Sequence, residues 1–380
     1  MSWTRQTYLA MTLDPLHVGT GGYRLGRVDN AIVREPGTNM PKVPGTTLSG
    51  AARSYAAMRF GKIRCAGQGQ PRQDRPDSGH CGQRTCPICY TFGHTVGQGS
   101  YEGTVSLYDA RIVFFPVATM LGPTWVSTER ILTGLGFTIT PEGRPEDVAD
   151  AAGVLRAAGG LDVARRQDGT GALNLGWLML DVGAQKVKLQ APAPFQGAPE
   201  LSAILDRAVL VNDGLLAQIV NSNLEVRTSV SINPETGAAQ TGALFTYEAV
   251  PRATILAFDV VEDNYQEFPS MQALEKWQAL TEDQKSRLGL VNNEIADSLN
   301  RYREYGVSWR HPRDVALAGL ELARVLGLGG MGTRGFGRLA LLGDPVEEAV
   351  GAQPTAGAGR SVWRCAPTWI SLPRSARRRS

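Results

Sequence analysis

Four of the five cysteines fall between Cys65 and Cys89. Cys86 and Cys89 frame a C-x-x-C knuckle, a spacing that lets two thiolates share one tetrahedral ion. Cys81 stands just upstream. The fourth ligand is either Cys65 or His80, although His80 adjoins Cys81 and joint ligation by the two would be strained. Met1-Ser2-Trp3-Thr4-Arg5 leads straight into strand-like sequence with no apolar signal segment. In such a chain, clustered cysteines argue for metal rather than disulfides. The expected ion is structural Zn2+ in a closed site with no open position for chemistry. The other chemically capable residues stand alone. Asp29 can hold a divalent cation near a phosphate, or simply close a turn. His17 precedes a glycine loop, where it can move a proton, contact phosphate or make a structural hydrogen bond. Gly327, Gly329, Gly330, Gly332, Gly335 and Gly337 surround Arg334. So glycine-rich a loop can bring backbone N–H groups against phosphate, or make a tight helix-to-strand turn. Arg34 and Arg53 are further phosphate candidates, with a solvated surface role as the alternative.

These residues need a scaffold. The chain has 380 residues, 42% hydrophobic and 20% charged, enough for one large elaborated domain or two ordinary ones. No apolar run reaches the roughly 18 residues of a membrane span, so no membrane partner is expected and a cytoplasmic location follows by default. A net charge of +3 does not announce a nucleic-acid partner by itself, so any RNA binding must use focused cations. Arg374, Arg377, Arg378 and Arg379 form the one basic run, read as a solvated tail.

The pattern along the chain predicts a strand at Tyr8–Leu13, an extended segment at Val28–Arg34, and a helix carrying Leu48, Ala51, Ala52, Tyr55 and Met58 behind a Thr46 or Thr47 cap. Residues 64–100 are poor in apolar side chains and need a metal to stay ordered. Strand pattern returns at Val105–Val117. Residues 143–170 mix Ala-rich helical sequence with a Gly-rich break. A short helix follows at Leu210–Val220, with Asn212 or Asp213 near its start. Glu225–Ile232 alternates strictly, Asn233–Gly237 is a turn, and Leu244–Val250 returns, which predicts a long hairpin. Ile255–Val261 is a strand, residues 270–305 are helical, Val315–Leu326 is an amphipathic helix, and Leu339–Leu342 closes as a strand. The order fits an α+β sheet with helices on one face.

Five segments together resemble the RAMP superfamily, specifically the backbone subunit of type III CRISPR effector complexes in the Cmr and Csm branches. They are Leu16-His17-Val18-Gly19-Thr20-Gly21 with Val28-Asp29-Asn30-Ala31-Ile32-Val33-Arg34; Pro41–Arg53; Cys86-Pro87-Ile88-Cys89 running into Phe92-Gly93; Arg227-Thr228 with Gly242-Ala243-Leu244-Phe245 and Glu248; and Gly329–Gly337. The resemblance spans residues 8 to about 340 and implies an RRM-like (ferredoxin-like) palm. It implies one elaborated RAMP domain over residues 1–345, with a zinc-binding insertion at 64–100, a thumb hairpin at 225–250 and a mobile basic tail at 346–380. It also implies guide RNA, target RNA, further copies of the chain in a filament and other CRISPR effector subunits as partners. By the same resemblance Asp29 is the catalytic residue of a target-RNA endoribonuclease using Mg2+ or Mn2+. His17, Arg34, Arg53, Gly330 and Arg334 are RNA contacts, while Ile232 and Leu244 are the wedge of the thumb. The alternatives are a backbone subunit in which Asp29 is silent, and a stand-alone processing ribonuclease. The family often has lysine where Ser49 stands, so one basic group is missing or moved.

Overall fold

The computed structural model describes residues 3–21, 28–67, 79–96, 99–142, 154–164, 167, 171–183, 186–263 and 269–350. The expected basic tail beyond residue 350, including Arg374 and Arg377–Arg379, lies outside the described residues, as does the first part of the Ala-rich segment.

Six strands and seven helices position the candidate residues. The strands are β1 (Trp3–Thr12), β2 (Ala110–Thr119), β3 (Glu225–Ile232), β4 (Ala239–Ala249), β5 (Ile255–Asp263) and β6 (Leu339–Val350). The helices are α1 (Gly45–Arg59), α2 (Pro87–Phe92), α3 (Asp213–Ser222), α4 (Met271–Gln278), α5 (Glu282–Arg287), α6 (Asn292–Glu304) and α7 (Pro312–Leu326). In the main sheet, β6, β1, β5 and β2 lie side by side in that order, each antiparallel to its neighbour. Helix α1 connects the first of these strands in sequence to the second, and α7 connects the third to the fourth. The two helices pack closely: an added Cβ on Gly319 would sit 2.0 Å from the Ala52 carbonyl oxygen, so only glycine allows this approach.

The sheet is buried on both faces. Tyr8, Ala10, Ile112, Phe258 and Val260 join Leu48, Ala52, Ala316 and Leu320 of α1 and α7 in one core. Leu9, Val113, Phe114 and Ile255 turn to the other face against Phe137, Phe195, Leu201 and Ile204. Along β1 the faces alternate residue by residue, as a strand between two layers requires, while in β2 consecutive Val113 and Phe114 face the same side where the pairing with β5 shifts register. A third cluster joins Cys65, Cys86, Ile88 and Cys89 to Trp277, Tyr302 and Trp309. The cysteine segment is therefore not a free-standing loop; its apolar partners come from α4, α6 and the approach to α7.

Several expected elements fall where the pattern put them, the β3 strand residue for residue and α3 with Asn212 as its cap. Others differ. Helix α1 begins after Pro44 with no side-chain cap from Thr46 or Thr47. Instead the Gly45 N–H donates to Asp109 Oδ1 at 2.8 Å, so a distant carboxylate satisfies the helix start. Val154–Ala157 is a strand rather than helix, because it is paired to neighbours on both sides. Strand β6 runs on to Val350, paired with β1 as far as Trp3, beyond residue 345. No helix of the described residues is long and apolar enough to cross a membrane.

Candidate functional site

The chain leaves β1 at Thr12 and passes Leu16 and His17 beside the end of β4. The Leu16 and Val250 backbones exchange N–H···O bonds of 2.8 and 2.9 Å. Residues 28–34 return along the free edge of β4, opposite β3: Asn30 N–H donates to Thr246 O at 3.0 Å, and Glu248 N–H donates to Asn30 O at 3.0 Å. This stitching puts Asp29 beside Thr246. Asp29 Oδ2 accepts from the Thr246 N–H and from its hydroxyl, both at 2.8 Å, while the Asp29 N–H donates to Thr246 Oγ1 at 2.9 Å. The Thr246 backbone N–H, and then its hydroxyl, hold the Asp29 carboxyl below the usual aspartate range. Asp29 is solvent-exposed, so this is an ionised carboxylate fixed at an open surface.

Two residues onward, Glu248 fastens the same junction from inside. Its Oε2 accepts the Ile32 N–H at 3.2 Å, its Oε1 pairs with Arg34 Nη2 at 2.6 Å, and its carbonyl meets His17 Nδ1 at 2.6 Å. A carbonyl only accepts, so His17 carries its proton on Nδ1. His17 is buried and packs edge-on against Tyr247, and its carbonyl takes the Gly330 N–H at 2.8 Å.

The sequence expectations therefore divide. His17 has the fold role rather than an exposed RNA contact. Arg34 is not a free phosphate ligand: Nη2 binds Glu248, Nε binds Asn221 Oδ1 at 2.8 Å, and Nη1 binds Ile32 O at 3.1 Å. Arg53 faces the cysteine segment instead, donating to Cys65 O at 2.7 Å and Phe92 O at 3.2 Å, with Nη2 2.7 Å from His80 Nε2. Gly330 gives its N–H to His17, so it has none to offer a phosphate. Gly327, Gly329 and Gly337 serve close packing within the chain; a Cβ on Gly329 would lie 2.4 Å from the His17 carbonyl oxygen. Gly332 and Gly335 face open space. Arg334 between them is exposed and makes no side-chain hydrogen bond or ion pair among the described residues. It is the cation the loop presents.

The hairpin formed by β3 and β4 carries its apolar side chains outward. Ile232 and Leu244 are 63% and 62% exposed, and Val230 lies directly across from Leu244. By strand alternation this face is the one that bears Thr246, so exposed apolar groups and Asp29 share one side of the hairpin. The sequence does not single out Thr246, since one threonine in an alternating strand carries no signal of its partner.

The cysteines form a separate centre. The Sγ atoms of Cys65, Cys81, Cys86 and Cys89 lie within 4.8 Å of one another and can hold one metal ion. Two of the spacings are 3.7 Å (Cys81 to Cys89) and 3.9 Å (Cys65 to Cys86). A tetrahedron of roughly 2.3 Å bonds has edges of about 3.8 Å. Hydrogen bonds from Cys81, Cys86 and Cys89 pull the Cys65 thiol down, while burial pushes Cys86 up. The choice left open by spacing falls to Cys65, whose Sγ lies within the four-sulfur group, while His80 Nε2 lies 2.7 Å from Arg53 Nη2.

The family model described as RAMP superfamily matches residues 10–340. The chain is 25% identical over 252 residues to the CRISPR system Cmr endoribonuclease Cmr4 of Pyrococcus furiosus, covering 64% of this chain and 77% of that protein. It is 37% identical over 67 residues to the CRISPR system Cms endoribonuclease Csm3 of Enterococcus italicus, covering 17% of this chain and only 30% of that protein. Among solved structures, a chain of the type III-B Cmr-beta complex bound to cognate target RNA aligns with a TM-score of 0.49 at 14% identity, covering 89% of this chain and 96% of that one. Oligomeric Cmr4 from Pyrococcus furiosus aligns with a TM-score of 0.46 at 16% identity, covering 91% and 99%.

Proposed function

The chain belongs to the RAMP superfamily, and from that premise we propose that it is a guide-RNA-binding backbone subunit of a type III CRISPR effector complex that cleaves bound target RNA at regular intervals. The antiparallel order β6-β1-β5-β2, with α1 and α7 as the connecting helices, supports the reading of an RRM-like palm. The β3–β4 hairpin is the thumb, and Val230, Ile232 and Leu244 are its wedge. The partners are guide RNA, target RNA, further copies of this chain in a filament and other effector subunits. The location is cytoplasmic.

The observation that carries the cleavage reading is Asp29, an exposed carboxylate held ionised and oriented by Thr246 of the thumb itself. Among the described residues no group of three potential ligands forms around it. That suits an ion that keeps most of its water and takes RNA oxygens as further ligands, as magnesium does. Mg2+ or Mn2+ bound there would offset charge developing at the scissile phosphate. Asp29 supplies the fixed anchor, the wedge residues splay the strand beside it, and Arg334 contacts the RNA backbone. The nucleophile is the neighbouring 2′-hydroxyl or a water molecule. The cysteine centre holds structural zinc and takes no part in the reaction; its sulfur spacings match those of a tetrathiolate.

Asp29→Ala in the assembled complex is expected to keep RNA binding and to lose Mg2+- or Mn2+-dependent cleavage by at least about a hundredfold. A second reading has an observation of its own: the bonds from Thr246 also make Asp29 a clasp that closes the loop. Undiminished cleavage by the variant would leave Asp29 as that clasp in a guide-binding subunit. His17 is buried with Nδ1 engaged, which disfavours the stand-alone processing ribonuclease.

A further inference from the structure

We propose that the cleft between the Gly61–Arg64 turn, the Cys81–Gln83 segment and helix α6 binds a phosphate group of the RNA backbone, as a second contact separate from the Asp29 surface. The source of the phosphate rests on the RNA-binding reading above; the anion site rests on the cleft itself. The cleft has a volume of about 300 Å³ and is lined by Lys62, Arg64 and Arg301 with no carboxylate. Lys62 is only 7% exposed, yet among the described residues its ammonium meets only Gln83 Oε1 at 3.2 Å and the Tyr302 ring at 5.8 Å. Arg64 and Arg301 are exposed and, among the described residues, bond only to carbonyls, Gly79 O at 3.0 Å and Gly61 O at 3.1 Å. None of the three has an ion pair among the described residues. Burying or clustering cations without a counter-anion is costly, and the cost falls when an anion binds.

The charges inside the chain leave room for that anion. Cys81 also lines the cleft. Four thiolates around one zinc ion carry a net charge of about −2. Arg53, which faces the cysteines, offsets part of that charge, and Lys62, Arg64 and Arg301 remain. Asp297 and Glu304 line a second cleft with Arg301, but among the described residues neither forms an ion pair with it. Helix α7 runs from the cysteine segment to the glycine loop. Its start meets the cysteine segment, where the Thr91 hydroxyl donates to Pro312 O at 3.4 Å, and its end leads into the glycine loop against His17. A helix of 15 residues spans about 22 Å, several nucleotides of extended strand.

The test measures binding of unstructured single-stranded RNA to the full chain across a salt series. It compares the unaltered protein with Arg64→Gln/Arg301→Gln and with the control Arg287→Gln, an exposed cation on α5. The double variant is expected to reduce the slope of log K against log salt by about 0.7 for each phosphate no longer neutralised, equally for all sequences, with an unchanged melting temperature. The control keeps the full slope. An unchanged slope in the double variant overturns the cleft while leaving RNA binding intact. Loss of inorganic phosphate binding with an unchanged RNA slope also overturns it, and assigns the cleft to free phosphate. Loss of self-association with an unchanged slope overturns it too, in favour of an acidic side chain from another copy. Absence of RNA binding by the unaltered chain overturns both this inference and the RNA-binding reading.

Discussion

The cysteine centre and the Asp29 surface are built in opposite ways. All four cysteine ligands come from one stretch of 25 residues, and three of them are buried in an apolar cluster. Asp29 is exposed and depends on Thr246, more than 200 positions away, while Glu248 on the same strand, and His17 and Gly330 from two further segments, brace it. A closed ligand set needs only local chain and an ion. An open reactive surface needs the whole fold to hold one carboxylate in place. On the proposed reading the first would be stabilised by coordination of an ion; the second is held by backbone pairing and an ion pair.

The largest expected effect falls on the first region. Cys86→Ser, or removal of metal by a strong chelator, should destabilise the protein by several kcal/mol, because structural zinc contributes folding energy directly. Thermal unfolding and metal content should fall together, whereas Asp29→Ala should leave both unchanged. Equal melting temperatures with and without chelator would break the contrast.

The next effect falls on the brace. Glu248→Ala leaves Arg34 partly buried without its carboxylate, frees the Ile32 N–H, and should cost about 3 kcal/mol in denaturant unfolding. Metal content should not change. A cost near zero would mean that the Asp29 surface does not depend on its buried ion pair.

The smallest effect is electrostatic. An aspartate with a depressed pKa contributes stability above its unfolded value of about 3.9, and that contribution is lost as pH falls through the lower folded value. Thr246→Ala keeps the backbone bond to Asp29 but removes the hydroxyl bond, so the Asp29 carboxyl should titrate at higher pH. Carbon-detected NMR titration of that carboxyl reads the shift directly. No shift would mean the backbone N–H alone sets the Asp29 charge.

The same contrast explains what was legible in the sequence. The C-x-x-C knuckle and its neighbours could be read because cysteines close in sequence must be close in space; only the fourth member needed the structure, which puts Cys65 in the sulfur group and His80 against Arg53. The hairpin was legible because strict alternation reports a strand directly. The partners of isolated charges were not. Arg34 and Arg53 look alike in sequence, yet one is paired to Glu248 and the other is bound to the carbonyls around the cysteines. The glycine loop was legible as a site of close approach, but for Gly327, Gly329 and Gly337 the approaching group is this chain's own backbone. Only Arg334 and the open glycines beside it keep the outward role.

The bonds between residues 29–30 and Thr246 also have a mechanical consequence. Carboxylate, hydroxyl and three backbone N–H groups join the loop to the hairpin at a single rung. Any tilt of the hairpin under load is passed to Asp29 with no slack between them. The two behave as one lever arm, so the spacing of cuts along a strand would be set by where the hairpin lodges rather than by an independent search by the carboxylate.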